Sequence, residues 1–222
     1  MAKYDIDMTS GNLFKKIILY SIPIILTSVL QLLYNACDLM IVGKFAYNGD
    51  KALAAVGSTG SMISLITSLF IGLSIGASVS YAKSVGNKDF ERANRTVHTS
   101  VIVSSLASVI ISIVGITYGR YFLELMDSPS NVIDLSTTYV QIYFCGTFFN
   151  LLYNFLAAIF RAHGDTRRPL YILTISGLVN VVLNLFFVLV CNMSVEGVAL
   201  ATIISQAVSA LSLLYIQKHN TT

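Results

Sequence analysis

Gln31, Tyr34, Asn35 and Asp38 are separated by three, one and three residues, a spacing that puts all four on one helical face. Asp38 stands near the end of an apolar stretch that begins at Ile17 and resumes through Leu39 to Gly43, long enough to cross a bilayer as a helix. A carboxyl at the centre of such a helix costs about 2.5 to 3.5 kcal/mol or more, so it faces a polar cavity and has partners. The chemistry this permits is titration, or the binding of a cation, inside a membrane. The plainer alternatives are a polar contact between helices, or an acid close enough to the interface to stay wet. Further polar stripes follow: Tyr143, Thr147, Asn150 and Asn154, then Gly177, Asn180 and Asn184, then Thr202, Ser205, Gln206 and Ser209. Each repeats at helical spacing within an otherwise apolar run.

The composition says what must position these residues. Hydrophobic residues make up 55% of the 222 and charged ones 11%, less than half the charged share of an ordinary soluble domain. The expected fold class is therefore all-α and polytopic, with six transmembrane helices joined by short connections. The spans are placed at residues 14–43, 52–82, 96–119, 135–160, 170–191 and 198–217, after a polar segment 1–13 and before a tail 218–222. Thr9, Ser10 and Asn12 offer caps for the first helix, and Pro23 predicts a bend inside it. Lys15 and Lys16 before an apolar run imitate a secretory signal, but the run is too long and lacks a small-residue cleavage pattern, so it is kept as a span. Gly72 and Gly76 have the spacing that lets two membrane helices approach closely. Cys37, Cys145 and Cys191, all in apolar runs, are read as buried small hydrophobes.

Lysine and arginine alone set the orientation. Of the 14, one side receives 11, namely Lys3, Lys15, Lys16, Lys83, Lys88, Arg92, Arg95, Arg161, Arg167, Arg168 and Lys218. The other receives Lys44, Lys51 and Arg120. Both termini are accordingly expected in the cytoplasm, as an even number of spans requires. The net charge of +3 follows topology and gives no argument for nucleic-acid binding. Gly57-Ser-Thr-Gly60, with His98 and His163 as bases, is too weak a nucleophile pattern to suggest an enzyme, because it lies in a small-residue packing stretch and both histidines sit at the basic margin. Nothing resembles a channel filter, a metal cluster or a phosphate loop, and no cofactor is expected.

Taken together, the chain resembles the N-terminal half of the multidrug and toxic compound extrusion (MATE) transporter family. The resemblance is carried by Gly11-Asn-Leu-Phe-Lys-Lys16 before a proline-containing span, Asp38-Leu-Met-Ile-Val-Gly43, Gly86-Asn-Lys-Asp-Phe-Glu-Arg-Ala93, Arg161-Ala-His-Gly-Asp-Thr-Arg-Arg-Pro169 and the Asn180, Asn184 face. It covers nearly the whole chain. Members have twelve helices in two six-helix bundles that face each other across a cavity, and they export amphipathic, mostly cationic compounds against a proton or sodium gradient by alternating access. The resemblance implies that Asp38, Asn180, Asn184 and Thr202 form the proton- or sodium-coupling site, with sodium at Asp38 the one metal to consider. Gln31, Tyr34, Asn35, Tyr143, Asn150, Asn154 and Gln206 are expected to line the cavity. Some members have an aspartate where this chain has Asn184, which leaves one carboxylate in this bundle instead of two.

The expected partners are the lipid bilayer, small amphipathic cations and a second six-helix bundle, supplied either by a C-terminal half beyond a truncated tail or by a second copy. The expected location is the cell membrane. A lipid-linked oligosaccharide flippase of related architecture is an alternative, although a pyrophosphate cargo calls for a more cationic cavity and no lysine or arginine lies in the body of a predicted span. An inactive structural fragment is the other.

Overall fold

The computed structural model describes residues 12–220. The segment 1–11, with the proposed caps Thr9 and Ser10, lies outside the described residues. Seven α-helices follow in order: α1 Leu13–Phe45, α2 Gly49–Gly86, α3 Phe90–Leu125, α4 Ile133–Cys145, α5 Thr147–Ala162, α6 Arg167–Leu185 and α7 Val195–Asn220. There is no strand among the described residues. Five of the helices are long and apolar enough to cross a membrane, and α4 with α5, bent by 52° at their junction, makes a sixth if the pair is one span.

Local sequence explains most of the boundaries. The Asn12 side chain accepts a hydrogen bond from the Lys15 N–H at 3.3 Å and so caps α1. α1 then runs unbroken through Pro23, whose carbonyl receives the Thr27 hydroxyl at 2.8 Å. Asp89 caps α3 through the Arg92 N–H at 2.9 Å. At the start of α6, Asp165 Oδ1 accepts from the N–H groups of Arg167 and Arg168, both at 3.1 Å, while Oδ2 pairs with Arg168 Nε at 3.2 Å. α7 extends to Asn220, so residues expected in the tail continue the last helix.

The fourth crossing differs most from the sequence reading. A single helix over 135–160 is expected, and the structure breaks it at Gly146. The break follows from packing that hydropathy does not register. Phe144 fits a notch at Gly115 of α3, where a Cβ would overlap its ring, and Gly146 lies so close to Ile203 of α7 that a side chain there would collide. The Ser112 hydroxyl donates to the Phe144 carbonyl at 2.6 Å, replacing a bond lost at the bend. Thr147, expected on the same stripe as Tyr143, is buried and does not join Tyr143 in the lining of the cavity described below.

α5 is the central element, packed by α2, α3 and α7, and almost every side chain from Leu151 to Phe160 is buried. Its apolar faces are covered by neighbouring helices, and the Asn150, Asn154 stripe is left to a polar cavity. Around it α1, α2, α3, α6 and α7 turn apolar faces outward, including Leu32, Met40, Leu65, Ile110 and Val182, each more than half exposed. So wide an apolar surface is one that lipid or a further membrane helix covers.

Two sequence expectations fail here. Gly72 and Gly76 meet no helix of this bundle, since a Cβ at either would have nothing within 4 Å. Their spacing is necessary for close helix packing but does not supply a neighbour. Of the cysteines, Cys145 and Cys191 are exposed on the apolar exterior and Cys37 is only partly buried. An apolar run is buried from water by the membrane as well as by protein, and sequence alone does not separate the two.

Candidate functional site

α1 brings Asp38 against α6 and α7 at a depth where its side chain is 7% exposed. The Asn184 amide donates to Asp38 Oδ1 and, at 3.2 Å, to Asn180 Oδ1. Asn180 and Asn184 are one helical turn apart on α6, so a single face supplies both. Thr202 of α7 lines the same cavity as Asp38, and its hydroxyl donates to the Val198 carbonyl at 2.9 Å. Asn184 is fully buried, and its Oδ1 is left without a partner. A buried, unpartnered amide oxygen is costly unless something else uses it. Immediately past Asn184 the helix widens into a π-helical turn, Phe186–Val190, a distortion common beside functional sites.

These groups sit at the wall of a cavity of about 480 Å³, within the range of small-molecule sites. Gln31, Tyr34, Asn35, Asp38, Tyr143, Asn150, Asn154, Asn180, Thr202 and Gln206 all line it, and Asn184 stands directly behind Asp38. The sequence-predicted residues are therefore brought together from α1, α4, α5, α6 and α7. Among the described residues, Asp38 is the one charged group in the lining. In the Gly57-Ser-Thr-Gly60 stretch, Ser58 is hydrogen-bonded to Ser136 and to the Ala55 carbonyl, where α2 packs on α4.

The polar wall is connected. Asn154 Nδ2 donates to the Asn150 carbonyl and side chain at 2.9 and 3.0 Å, and Asn150 Nδ2 donates to the Tyr143 hydroxyl at 3.4 Å. Tyr139 stacks on Tyr143 with ring centroids 6.2 Å apart. Sequence reasoning missed Tyr139, Ser64, Thr67 and Ser68, all cavity-lining. Gly60, Ser64, Thr67 and Ile71 repeat at helical spacing, a signal that was available but subordinate to the glycines' packing role.

Tyr34 shows how close this packing is. Its hydroxyl donates to the Thr174 carbonyl at 3.2 Å, and its ring lies against the bare Cα of Gly177. A Cβ there would overlap the ring. Gly177→Val is expected to expel Tyr34 from this position and to lower stability by about 1 to 3 kcal/mol, as overpacking does. Thermal melting in detergent checks this, and an unchanged melting temperature would contradict the close approach.

Comparison with known proteins places this geometry. A family model described as MatE matches residues 23–186. The probable multidrug resistance protein YpnP of Bacillus subtilis is 30% identical over 214 residues, 96% of this chain and 48% of the relative. YoeA of the same organism, also named a probable multidrug resistance protein, is 30% identical over 93% of this chain and 45% of its own length. A crystal structure described as MATE in the bent conformation superposes with a TM-score of 0.84 at 28% identity, over 92% of this chain and 45% of that one. The chain thus spans about half the length of the curated relatives it matches.

Proposed function

Because the chain belongs to the MatE family, we propose that it supplies one six-helix lobe of a cation-coupled exporter of amphipathic, mostly cationic compounds, with Asp38, Asn180, Asn184 and Thr202 as the coupling site. The observation that carries this is the single carboxyl of Asp38, held in the wall of a small-molecule-sized cavity with no cationic lining residue. One negative charge in a low-dielectric cavity attracts a positive one strongly. The tyrosine rings of Tyr34, Tyr139 and Tyr143 add faces on which an organic cation can rest.

Coupling requires that the two states of Asp38 favour different arrangements, since a ligand shifts an equilibrium only through differential affinity. The hydrogen bonds around it supply a difference. When Asp38 is protonated its O–H is a donor that the cavity has to accept, and when it is ionised both of its oxygens only accept. Asn184 donates to Asp38 in either state. The carboxylate oxygens of Asp38 are also ligands of the kind a hard cation prefers. Proton and sodium therefore compete for the same corner of the cavity.

The facing half of the cavity would come from a second six-helix bundle, either a further part of the same protein or another copy. A lipid-linked oligosaccharide flippase is disfavoured by the absence of lysine and arginine from the lining. The test is efflux of a fluorescent lipophilic cation in everted membrane vesicles from cells that make this chain natively, so that whatever lobe it works with is present. Gradient-driven movement of the dye that disappears when the gene is deleted is expected, and imposing first a pH gradient and then a sodium gradient identifies the driving ion. Identical dye movement with and without the chain would overturn the proposal.

A further inference from the structure

A second cavity opens at the opposite side of α2 from the first. It occupies about 330 Å³ between α2 and α3, with Phe155 of α5 as its floor. No residue of the central cavity comes from α3, and Leu73, Ala77 and Ser80 lie on a different face of α2 from Gly60, Ser64 and Thr67. The two cavities are therefore separate, and this one opens outward from the bundle.

Its chemistry is graded along its length. Arg92, Arg95, Thr99 and Val103 repeat at helical spacing on α3, and the 11 helical steps from Arg92 to Val103 span about 16 Å. The basic end lies one turn inside the start of α3 at Phe90, where the chain leaves the apolar part of the bundle. The other end is walled by Leu73, Ala77, Val103 and Phe155 and is flanked by the exposed Ile102 and Leu106. A headgroup-to-acyl transition thus runs down one groove.

The cations are available. The Arg92 guanidinium has no ion pair among the described residues, its backbone N–H alone being used by Asp89. Arg95 pairs with Glu91 at 2.7 Å, but both side chains are more than three-quarters exposed, and such pairs contribute little. The acids at this end are Asp89 and Glu91, against the bases Lys83, Lys88, Arg92 and Arg95. Arginine forks match a phosphodiester geometrically, and basic pockets between membrane helices recognise anionic headgroups.

We propose that the groove between α2 and α3 binds an anionic phospholipid, its phosphodiester held by Arg92 and Arg95 and the upper part of an acyl chain laid over Ala77, Val103 and Phe155. The site is independent of the central cavity and of what that cavity carries. Native mass spectrometry of the full chain in detergent, titrated with dioleoyl phosphatidylglycerol or dioleoyl phosphatidylcholine, tests it. The anionic lipid is expected to give several-fold more adduct, and Arg92→Gln with Arg95→Gln to cut that adduct by about fivefold or more. Lys44→Gln with Lys51→Gln removes the same charge at the other end and is expected to leave it unchanged. Val103→Trp, which fills the apolar part, is expected to reduce binding while keeping both arginines. Glycerol 3-phosphate is included as the soluble form of the headgroup and is expected not to compete. Equal binding of the two lipids, equal loss in the Lys44, Lys51 control, or full competition by glycerol 3-phosphate would each overturn the proposal.

Discussion

Asp38→Asn is expected to abolish gradient-driven export while leaving the fold intact. The substitution keeps the size of the side chain and an oxygen that accepts from Asn184. What it removes is the change of charge. Because a two-state equilibrium moves only as far as the differential affinity of its ligand allows, a group that no longer takes up a cation loses its hold on the lobe's orientation. Dye efflux in everted vesicles should fall at least about tenfold, equivalent to ~1.4 kcal/mol of lost coupling, with the melting temperature nearly unchanged. Undiminished gradient-dependent export by the variant would remove Asp38 from the mechanism.

Asn184→Leu is expected to damage both stability and transport. Asn184 is fully buried and donates to both Asp38 and Asn180. Leucine fills a similar volume and donates nothing, which leaves two buried oxygens without a partner at a cost of about 1 to 3 kcal/mol. The melting temperature should fall, and export should fall with it because Asp38 is no longer oriented. A double-mutant cycle isolates the interaction from a simple packing defect. Replacing both members, Asp38→Leu with Asn184→Leu, removes the buried acceptor along with its donor and should recover part of the stability lost in Asn184→Leu alone. Strict additivity would mean that the bond between α1 and α6 contributes nothing to stability.

Both predictions depend on contacts made across the bundle, and the sequence showed their ingredients without their assembly. The acid's position in an apolar run, the three- and four-residue spacing of Gln31, Tyr34, Asn35 and Asp38, and the Asn180, Asn184 pair are properties of single helices, so periodicity reveals them. That Asn184 reaches Asp38, 146 residues away in the chain, is a fact of how α1 leans on α6. The cavity's second tier was less visible. Tyr139 and Thr67 became lining residues only when α4 and α2 were set around α5.

By itself the sequence determined the all-helical membrane class and the stripe on which most of the polar groups lie, because a bilayer forces backbone groups to pair within each segment and leaves helix length and side-chain periodicity to be read directly. Tertiary structure alone decided which stripes face one another. It broke the fourth crossing at Gly146, where Phe144 and Ile203 needed space that only bare backbone gives. Among the described residues it left Gly72 and Gly76 with nothing packed against them and Cys145 and Cys191 exposed. In lipid, an apolar side chain is as well accommodated outside the bundle as inside it, so hydropathy cannot choose between the two. Shape complementarity and hydrogen-bond partners make that choice, and both exist only between helices.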